Sequence, residues 1–294
     1  MKKAYIVLVH KGPEQVYRLI SRLNDGNSIF FVHIDSKVNI KKFNRILEFG
    51  DKVKLLNRVD GSWGTFGIVR ATLIGMRAVR ASKMNFNTVS LISGQDYPLK
   101  ANGEIDEFYK TSPHSVFVEV IAPLPINFWH KGGLSRVEKY FFGLEWYRRA
   151  AAKVANGLQR VIPPLRKKVP YGLKLYGGSQ WWTMDMYGLN YILDYIDDHP
   201  KLLPFFRFAL LGDEIIFQTI IMNSTDEKLR RSFRETNIRH IVIPVPQVHP
   251  IIWTKSDLPD LKNSGALFSR KFDVAVDAEV LDMIDRDCLA VKQP

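Results

Sequence analysis

The first 120 residues alternate between apolar stretches and amphipathic stretches, and this alternation restricts the folds that are open to the chain. Apolar runs at Ala4–Val9, Ile29–Ile34 and Val89–Ser93 predict buried strands. Between them, Pro13–Leu23 and Phe66–Val79 repeat apolar residues at helical spacing and predict helices. Strands that alternate with helices in this way form βαβ units and a mostly parallel sheet that is covered on both faces. The sequence therefore predicts an α/β fold.

The second half of the chain continues the pattern less regularly, with a strand predicted at Gly177–Met184 and helices at Tyr187–Ile196 and Ala278–Asp287. No linker or change of composition separates two domains, so we predict one merged domain over residues 1–294, made of a first half (1–120) and a second half (121–294). Ligands of such folds bind beyond the carboxyl ends of the parallel strands. His10 and the segment Ser93–Asp96 lie at those ends.

Charge and cysteine content limit the partners and the compartment. The net charge of +12 favours an anionic partner, which is a nucleotide, a phospholipid surface or a nucleic acid. No apolar run reaches the length of a membrane-spanning helix, and the first ten residues are predicted to form a strand rather than a signal peptide. Cys288 is the single cysteine, so an internal disulfide is excluded and a cytoplasmic location is expected.

The positive charge is concentrated in the basic segment 144–174, which has no acidic residue after Arg148. Trp146, Tyr147, Val154 and Leu158 are interspersed among its arginines and lysines. Such a basic amphipathic helix over 144–168 suits peripheral contact with an anionic membrane, such as the inner membrane face, and it equally suits a solvated helix that packs on the core. Both alternatives stay open at this level.

The usual nucleotide and metal motifs are missing. The chain has neither a phosphate-binding loop nor a Gly-x-Gly-x-x-Gly turn after its first strand. Its one Asp-x-Asp pattern, Asp285-Arg286-Asp287, falls in the predicted last helix and is expected to be a solvated helix end, so no metal is predicted. A diphosphate leaving group without a metal requires fixed cations, and Arg239, before a strand predicted at Ile241–Val245, and Lys271 are the candidates.

Two consecutive acids, Asp213 and Glu214, precede an apolar run that predicts a helix over Glu214–Met222. Acids in a first helical turn are favoured by the helix macrodipole. Alternatively, Glu214 is a general base at the mouth of a pocket. The segment alone leaves both interpretations of Glu214 open, whereas helix capping is favoured for Asp213.

Several motifs, taken in order and at their spacing over residues 4 to 285, resemble the core-2/I-branching N-acetylglucosaminyltransferase family, which includes the peptide O-xylosyltransferases. The segments that carry this resemblance are Trp63-Gly64 with Ile68–Leu73, Leu91–Lys100, Gly177–Trp182 (GGSQWW), Gly212-Asp213-Glu214 and Leu267–Asp273 (LFSRKFD).

The resemblance implies a GT-A-like, Rossmann-type fold and an inverting, metal-independent transfer from a UDP-sugar, without a cofactor. Residues 1–120 would bind the nucleotide sugar, and residues 121–294 would supply the acceptor side and the catalytic groups. The family's catalytic glutamate falls on Glu214, and its two diphosphate-binding cations fall on Arg239 and Lys271. Arg270 is an alternative for either cation.

The resemblance also implies further contacts. Val69 and Asp96 would approach the uridine of the donor, and Glu119 and Arg136 would face the acceptor. Alternation along a strand sends neighbouring side chains to opposite faces, so one of Trp181 and Trp182 belongs to the core and the other lines the sugar site. We assign Trp182 to the acceptor.

The donor sugar expected from the resemblance is N-acetylglucosamine, with xylose as the alternative. The expected acceptor is a glycan or lipid-linked glycan of a bacterial polysaccharide pathway. A basic nucleic-acid-binding protein is the alternative from a different class. It is disfavoured because the aromatic residues do not alternate with basic residues on strands and no recognition helix is evident.

Overall fold

A computed structural model describes residues 1–126, 129–244 and 249–290 of the chain. The strands are β1 (Lys3–Val9), β2 (Ser28–Ile34), β3 (Val53–Leu55), β4 (Thr88–Ser93), β5 (Asp96–Pro98), β6 (Val116–Pro123), β7 (Tyr176–Met184), β8 (Phe233–Arg234), β9 (Arg239–Ile241) and β10 (Phe268–Arg270). The helices are α1 (Pro13–Leu23), α2 (Phe66–Ala81), α3 (Asn102–Thr111), α4 (Ser135–Glu138), α5 (Trp146–Val161), α6 (Met186–Asp198), α7 (Leu202–Phe206), α8 (Ile216–Met222), α9 (Glu227–Ser232), α10 (Leu258–Asn263) and α11 (Glu279–Ile284). Shorter 3₁₀ segments include Ile40–Lys52 and Gly212–Glu214.

A seven-stranded sheet forms the centre of the fold, with the strand order β3-β2-β1-β4-β7-β6-β8. Strands β1 to β4 are parallel to one another, β6 is parallel to β8, and β7 runs antiparallel between β4 and β6. Every residue of β2 and β4 is buried, as expected for strands that are covered on both faces. A second sheet of three short strands has the order β5-β10-β9.

The hydrophobic core consists of two clusters, one on each face of the large sheet. In β1, Ile6 belongs to the cluster that contains residues of α2, α6 and α8, whereas Val7 belongs to the cluster that contains residues of α1 and α11. This division follows from the alternation of side chains along a strand. Helix α2 approaches β1 closely at Gly75, where an added Cβ atom would lie 2.4 Å from the Ile6 side chain.

The α/β prediction is confirmed, and most elements of the first half match their predicted bounds within two residues. Between β2 and β3, the segment Ile40–Lys52 is a 3₁₀ segment that is interrupted at Gly50. The predicted strand Ile241–Val245 is wrong in its described part, because β9 ends at Ile241; Val245 lies outside the described residues. In the part of the chain that the structure covers, no helix is long and apolar enough to cross a membrane.

The division into halves at residue 120 stays a prediction. Strand β6 spans that boundary, and β7, from the second half, pairs with β4 of the first half. The two halves therefore share one sheet.

Candidate active site

The candidate site lies where the parallel strands end. The residues that follow β1, β2 and β4 come to one edge of the sheet, the edge formed by the carboxyl ends of these strands, because the strands run in the same direction. We call this the sheet edge. Strand β7 runs in the opposite direction, so it brings its first residues to the same edge. The turn that precedes α8 packs against β7 and α2 and carries Glu214.

The turn at Glu214 has a defined backbone conformation. Leu211 has a positive φ of 55°, a region that non-glycine residues seldom adopt. Its N–H donates to the carbonyl oxygen of Gly64 at 2.9 Å, and the Glu214 N–H donates to the Leu211 carbonyl oxygen at 3.1 Å. These bonds attach the turn to the Trp63-Gly64 loop. The Glu214 side chain remains 31% exposed, so it is partly accessible to solvent.

Arg136 contacts this carboxylate directly. Its Nη1 atom lies 2.6 Å from Glu214 Oε2, and its guanidinium stacks on the Trp129 ring at 3.6 Å. Burial raises the pKa of Glu214 above its usual value, and the positive charge of Arg136 opposes that rise. The predicted acceptor residue Arg136 is therefore positioned beside the predicted base, a pairing that the sequence did not indicate.

Asp213 does not cap a helix, so this predicted role is wrong. Helix α8 begins only at Ile216, and within the described residues no side chain caps it. The Asp213 side chain is instead buried, and its Oδ1 atom has no hydrogen-bond partner among the described atoms. Burial, reinforced by the charge of Glu214, raises the pKa of Asp213 from 3.8 to about 7. The two acids thus form a pair in which the charge of Glu214 affects the ionisation of Asp213.

Glu119 lies near this pair. It accepts a short hydrogen bond from the Asn237 side chain, and burial raises its pKa, with the nearby Glu214 adding to the rise. The pairing of β6 with β7 shifts register on both sides of Val120, and a Cβ atom on Gly178 would lie 1.9 Å from the Glu119 carbonyl oxygen. The paired glycines of β7 permit this irregular stretch, where β6 approaches closely.

Arg239, one of the two predicted diphosphate ligands, is only 8% exposed. Its guanidinium donates to the carbonyl oxygens of Asn237, Leu91 and Trp182, the last two at 2.8 and 3.3 Å. These contacts hold the charge inside the protein. Arg239 is buried because it is the first residue of β9. It therefore lies within the small sheet and not in a loop before that strand.

Arg270 and Lys271 lie at the sheet edge. The Arg270 guanidinium stacks on Trp181 at 4.1 Å, and its Nη1 atom lies 3.2 Å from Asp96 Oδ1. Lys271 is half-buried and follows directly. Arg270, the alternative named from the sequence, is thus the arginine beside Lys271; its side chain is 12% exposed, and which arginine binds a diphosphate stays a prediction.

A histidine and a lysine near Lys271 were not assigned from the sequence. Burial and the charges of Lys11, Lys271 and Arg270 lower the pKa of His10, so His10 is a neutral side chain within a positive region. Burial and the neighbouring cations Lys11 and Arg270 also lower the pKa of Lys271. The signal available from the sequence was the position of His10 and Lys11 directly after β1. We call Lys11, Arg270 and Lys271 the cation cluster.

Three further predicted contact residues are buried. Asp96 is fully buried, accepts a hydrogen bond from the Ser93 N–H at 3.2 Å and faces Arg270, so it orients a cation rather than presenting itself to solvent. Val69 is fully buried on the inward face of α2, and Trp182 is fully buried near Phe217. Neither side chain reaches the protein surface, and their predicted contacts stay predictions. Of the two tryptophans, Trp181 is the one next to the cation cluster.

No group of three or more histidine, cysteine, aspartate or glutamate side chains among residues 1–126, 129–244 and 249–290 is arranged to hold a metal ion. Asp285 of the Asp-x-Asp pattern lies between 2.6 and 3.1 Å from side-chain atoms of Arg18, Arg22 and Tyr97. It therefore joins the end of α11 to α1 and β5.

Comparison with known proteins identifies relatives over nearly the whole chain. Xylosyltransferase 2 from Rattus norvegicus is 23% identical over 96% of this chain and 33% of its own length. Xylosyltransferase 1 from Canis lupus familiaris is 21% identical over 96% of this chain and 30% of its own length. The chain thus spans about a third of the curated relatives that it matches.

Solved structures are more distant. A Bacillus anthracis protein assigned as a glucose-1-phosphate thymidylyltransferase superposes with a TM-score of 0.31 and 12% identity, over 65% of this chain and 75% of that one. The α/β assignment is therefore based on the sheet topology described above and not on this superposition. The sequence profile described as "Core-2/I-Branching enzyme" matches residues 3–259. The chain therefore belongs to the Core-2/I-branching enzyme family, as its motifs predicted.

Proposed function

We propose that the protein is an inverting glycosyltransferase that moves a sugar from a UDP-sugar to a hydroxyl group of a glycan. One observation carries the proposal. Glu214 exposes a carboxylate, ion-paired with Arg136, at the same sheet edge that carries the cation cluster. A base and an anion-binding surface on one edge are the two elements that such a transfer requires.

In the proposed reaction, an acceptor hydroxyl attacks the anomeric carbon from the face opposite to UDP. The new glycosidic bond forms as the bond to the β-phosphate oxygen breaks, and Glu214 accepts the hydroxyl proton. Such general-base assistance contributes about 10²–10⁴-fold. Burial raises the pKa of Glu214, which increases its basicity, while Arg136 keeps the carboxylate ionised.

The cation cluster would meet the charge that develops on the departing diphosphate. Lys271 and Arg270 are the proposed direct ligands, and Asp96 and Trp181 hold the Arg270 guanidinium in place. Fixed cations that require no reorganisation during the reaction stabilise such charge effectively. The proposal therefore includes transfer without a divalent metal, in a GT-A-like arrangement.

The proposed donor is UDP-N-acetylglucosamine, and the proposed acceptor is a glycan or lipid-linked glycan of a polysaccharide pathway. UDP-xylose is the second candidate donor, because the relatives named above are xylosyltransferases. The positive surface of the site suits either UDP-sugar equally, since both carry the same diphosphate.

The Glu214→Gln variant tests the base. It should bind UDP normally and lose transfer by about 10²-fold or more, because the amide cannot accept the proton. Glu138→Gln is the matched control, since Glu138 is exposed on α4 two residues after Arg136. Normal turnover by the Glu214 variant would refute its role as the base.

Donor hydrolysis across UDP-N-acetylglucosamine, UDP-xylose and UDP-hexoses, with and without EDTA, tests the sugar and the metal together. We expect one UDP-sugar to be hydrolysed at a rate that EDTA does not change. Loss of turnover in EDTA that returns with a divalent cation would contradict metal independence.

A further inference from the structure

The face by which helix α5 packs against the rest of the protein is made of small or polar residues and not of apolar ones. None of its 16 residues, all of them described, is buried. The half-buried positions are Arg148, Ala152, Ala155, Asn156 and Gln159, which recur at helical spacing and are small or polar. The Asn156 side chain attaches the helix to Tyr140 in the preceding loop. Its amide oxygen accepts from the Tyr140 N–H, and its amide nitrogen donates to the Tyr140 carbonyl oxygen, both at 2.9 Å.

The apolar side chains of α5 lie on a different face, which points to solvent. Tyr147, Val154, Leu158 and Val161 follow the i, i+7, i+11, i+14 spacing of a single helical stripe. Their exposed fractions are 52, 63, 43 and 75%, and Trp146 beside them is 82% exposed. A helix that only packs on a core would turn this stripe inward. The stripe is thus available to a partner outside the protein.

Positive charge lies on a third, exposed face of α5. Arg149, Lys153 and Arg160 are exposed along the same helix. Beyond the helix, Lys167, Lys168 and Lys201 line a cavity of about 500 Å³ whose walls include aromatic rings. The Lys167 Nζ atom is buried 5.1 Å from the Phe205 ring centre, so Lys168 and Lys201 are the exposed lysines of this cavity. Neither the helix nor the segment up to residue 174 contains an acid.

We propose that α5 and the adjoining residues 162–171 dock on an anionic lipid bilayer, with the apolar stripe among the acyl chains and the lysines and arginines against the phosphates. An exposed tryptophan and tyrosine, here Trp146 and Tyr147 at the start of α5, are typical of such interfacial helices. The structure thereby favours the membrane over the solvated helix, the two alternatives that the sequence left open. This proposal goes beyond the proposed glycosyl transfer and does not depend on it.

Charge complementarity selects this partner over two others. A second copy of this chain would bring the same basic segment against itself, which is repulsive. A nucleic acid would satisfy the cations but would leave the apolar stripe in water. A bilayer that contains anionic lipids satisfies both.

Flotation of the full chain with lipid vesicles tests the proposal. We expect binding to vesicles of phosphatidylcholine mixed with phosphatidylglycerol, and little binding to phosphatidylcholine alone. The double variant Lys153→Glu, Arg160→Glu should lower the partition coefficient by about 10²-fold, because each cation near such a surface contributes. Val154→Asp with Leu158→Asp should lower it by a similar factor, about 10²-fold, through loss of apolar burial.

Matched controls come from the 3₁₀ segment Ile40–Lys52, which packs on α1, β2 and β3. Lys41→Glu with Lys42→Glu reverses two exposed charges there, and Leu47→Asp replaces a side chain that is 49% exposed. Neither control should change flotation by more than about twofold. All variants should keep the wild-type melting temperature and hydrolyse the donor at the wild-type rate, so failure of the docking and failure of the enzyme are distinguishable.

Equal flotation with both vesicle types, or equal losses in the controls, would overturn the proposal. So would a wild-type dimer in light scattering that the Val154, Leu158 double variant converts to a monomer, because the stripe would then belong to a subunit interface.

Discussion

Replacement of Arg136 by methionine separates two roles for this residue, orientation of Glu214 and contact with the acceptor. Methionine keeps an unbranched stem of similar length over the Trp129 ring but removes the charge that lies 2.6 Å from the Glu214 carboxylate. Because Arg136 lowers the pKa of Glu214, its loss allows burial to raise that pKa further. Glu214 then becomes protonated at a higher pH, and its proton-accepting form is lost there.

The size of the effect follows from the geometry. An opposite charge in contact with a carboxylate lowers its pKa by about 1–3 units. Arg136 is 19% and Glu214 31% exposed, so solvent screens part of this interaction. We therefore expect the acid limb of the kcat/KM profile of the methionine variant to move to higher pH, with activity lost on that limb and kept on the plateau. The loss of stability should be about 1 kcal/mol, since the pair is neither fully exposed nor fully buried.

The assay is a pH profile of transfer for the wild type, Arg136→Met and Arg136→Lys. The lysine variant restores the positive charge and should move the acid limb back toward its wild-type position. An unchanged pH profile in the methionine variant, combined with a raised KM for the acceptor alone, would refute the pairing argument. It would instead support the acceptor contact that the family resemblance implies.

Three further predictions concern the residues around the site. Asp213→Asn should stabilise the protein more at pH 8 than at pH 5. The pKa of Asp213 is about 7 in the folded state and 3.8 ordinarily, so the wild-type protein loses stability as the pH rises between these values. Melting curves at both pH values test this, and an equal change in melting temperature at both would contradict it. Arg239→Met should lower the free energy of unfolding in urea by about 3 kcal/mol, because buried carbonyl oxygens lose the cation that donates to them. Lys271→Ala should lower it by less than about 0.5 kcal/mol but should lower kcat/KM by about 10²–10³-fold. The reverse pattern would return the diphosphate role to Arg239. Gly67→Ala should destabilise the protein, because the added Cβ atom would lie 1.7 Å from a backbone carbonyl oxygen of the preceding loop. Gly103→Ala is the control, since open space surrounds the atom added there. Equal melting temperatures for the two variants would contradict the clash at Gly67.

Local sequence signals predicted the elements because each depends on neighbours within a few residues. The strands of the first half, helix α1 from Pro13 and helix α2 from Phe66 all follow from apolar spacing and turn residues. The short strands β5, β9 and β10 carry no such signal. They exist because Arg270 pairs with Asp96 and Ile241 across the small sheet, and these contacts join distant parts of the chain.

The sequence by itself determined the fold class, the family and the identity of the acidic pair, since these depend on periodicity and on motifs in order. Tertiary structure alone decided which charged groups meet. It buried Asp213, placed Arg239 inside the small sheet and brought Arg136 to Glu214 across 78 positions of the chain. Burial and ion pairing depend on which elements pack together, and a change of one residue in where a strand begins moves a side chain from a loop into the interior. For the same reason, only the structure showed that α5 turns its apolar stripe to solvent and its polar face to the protein.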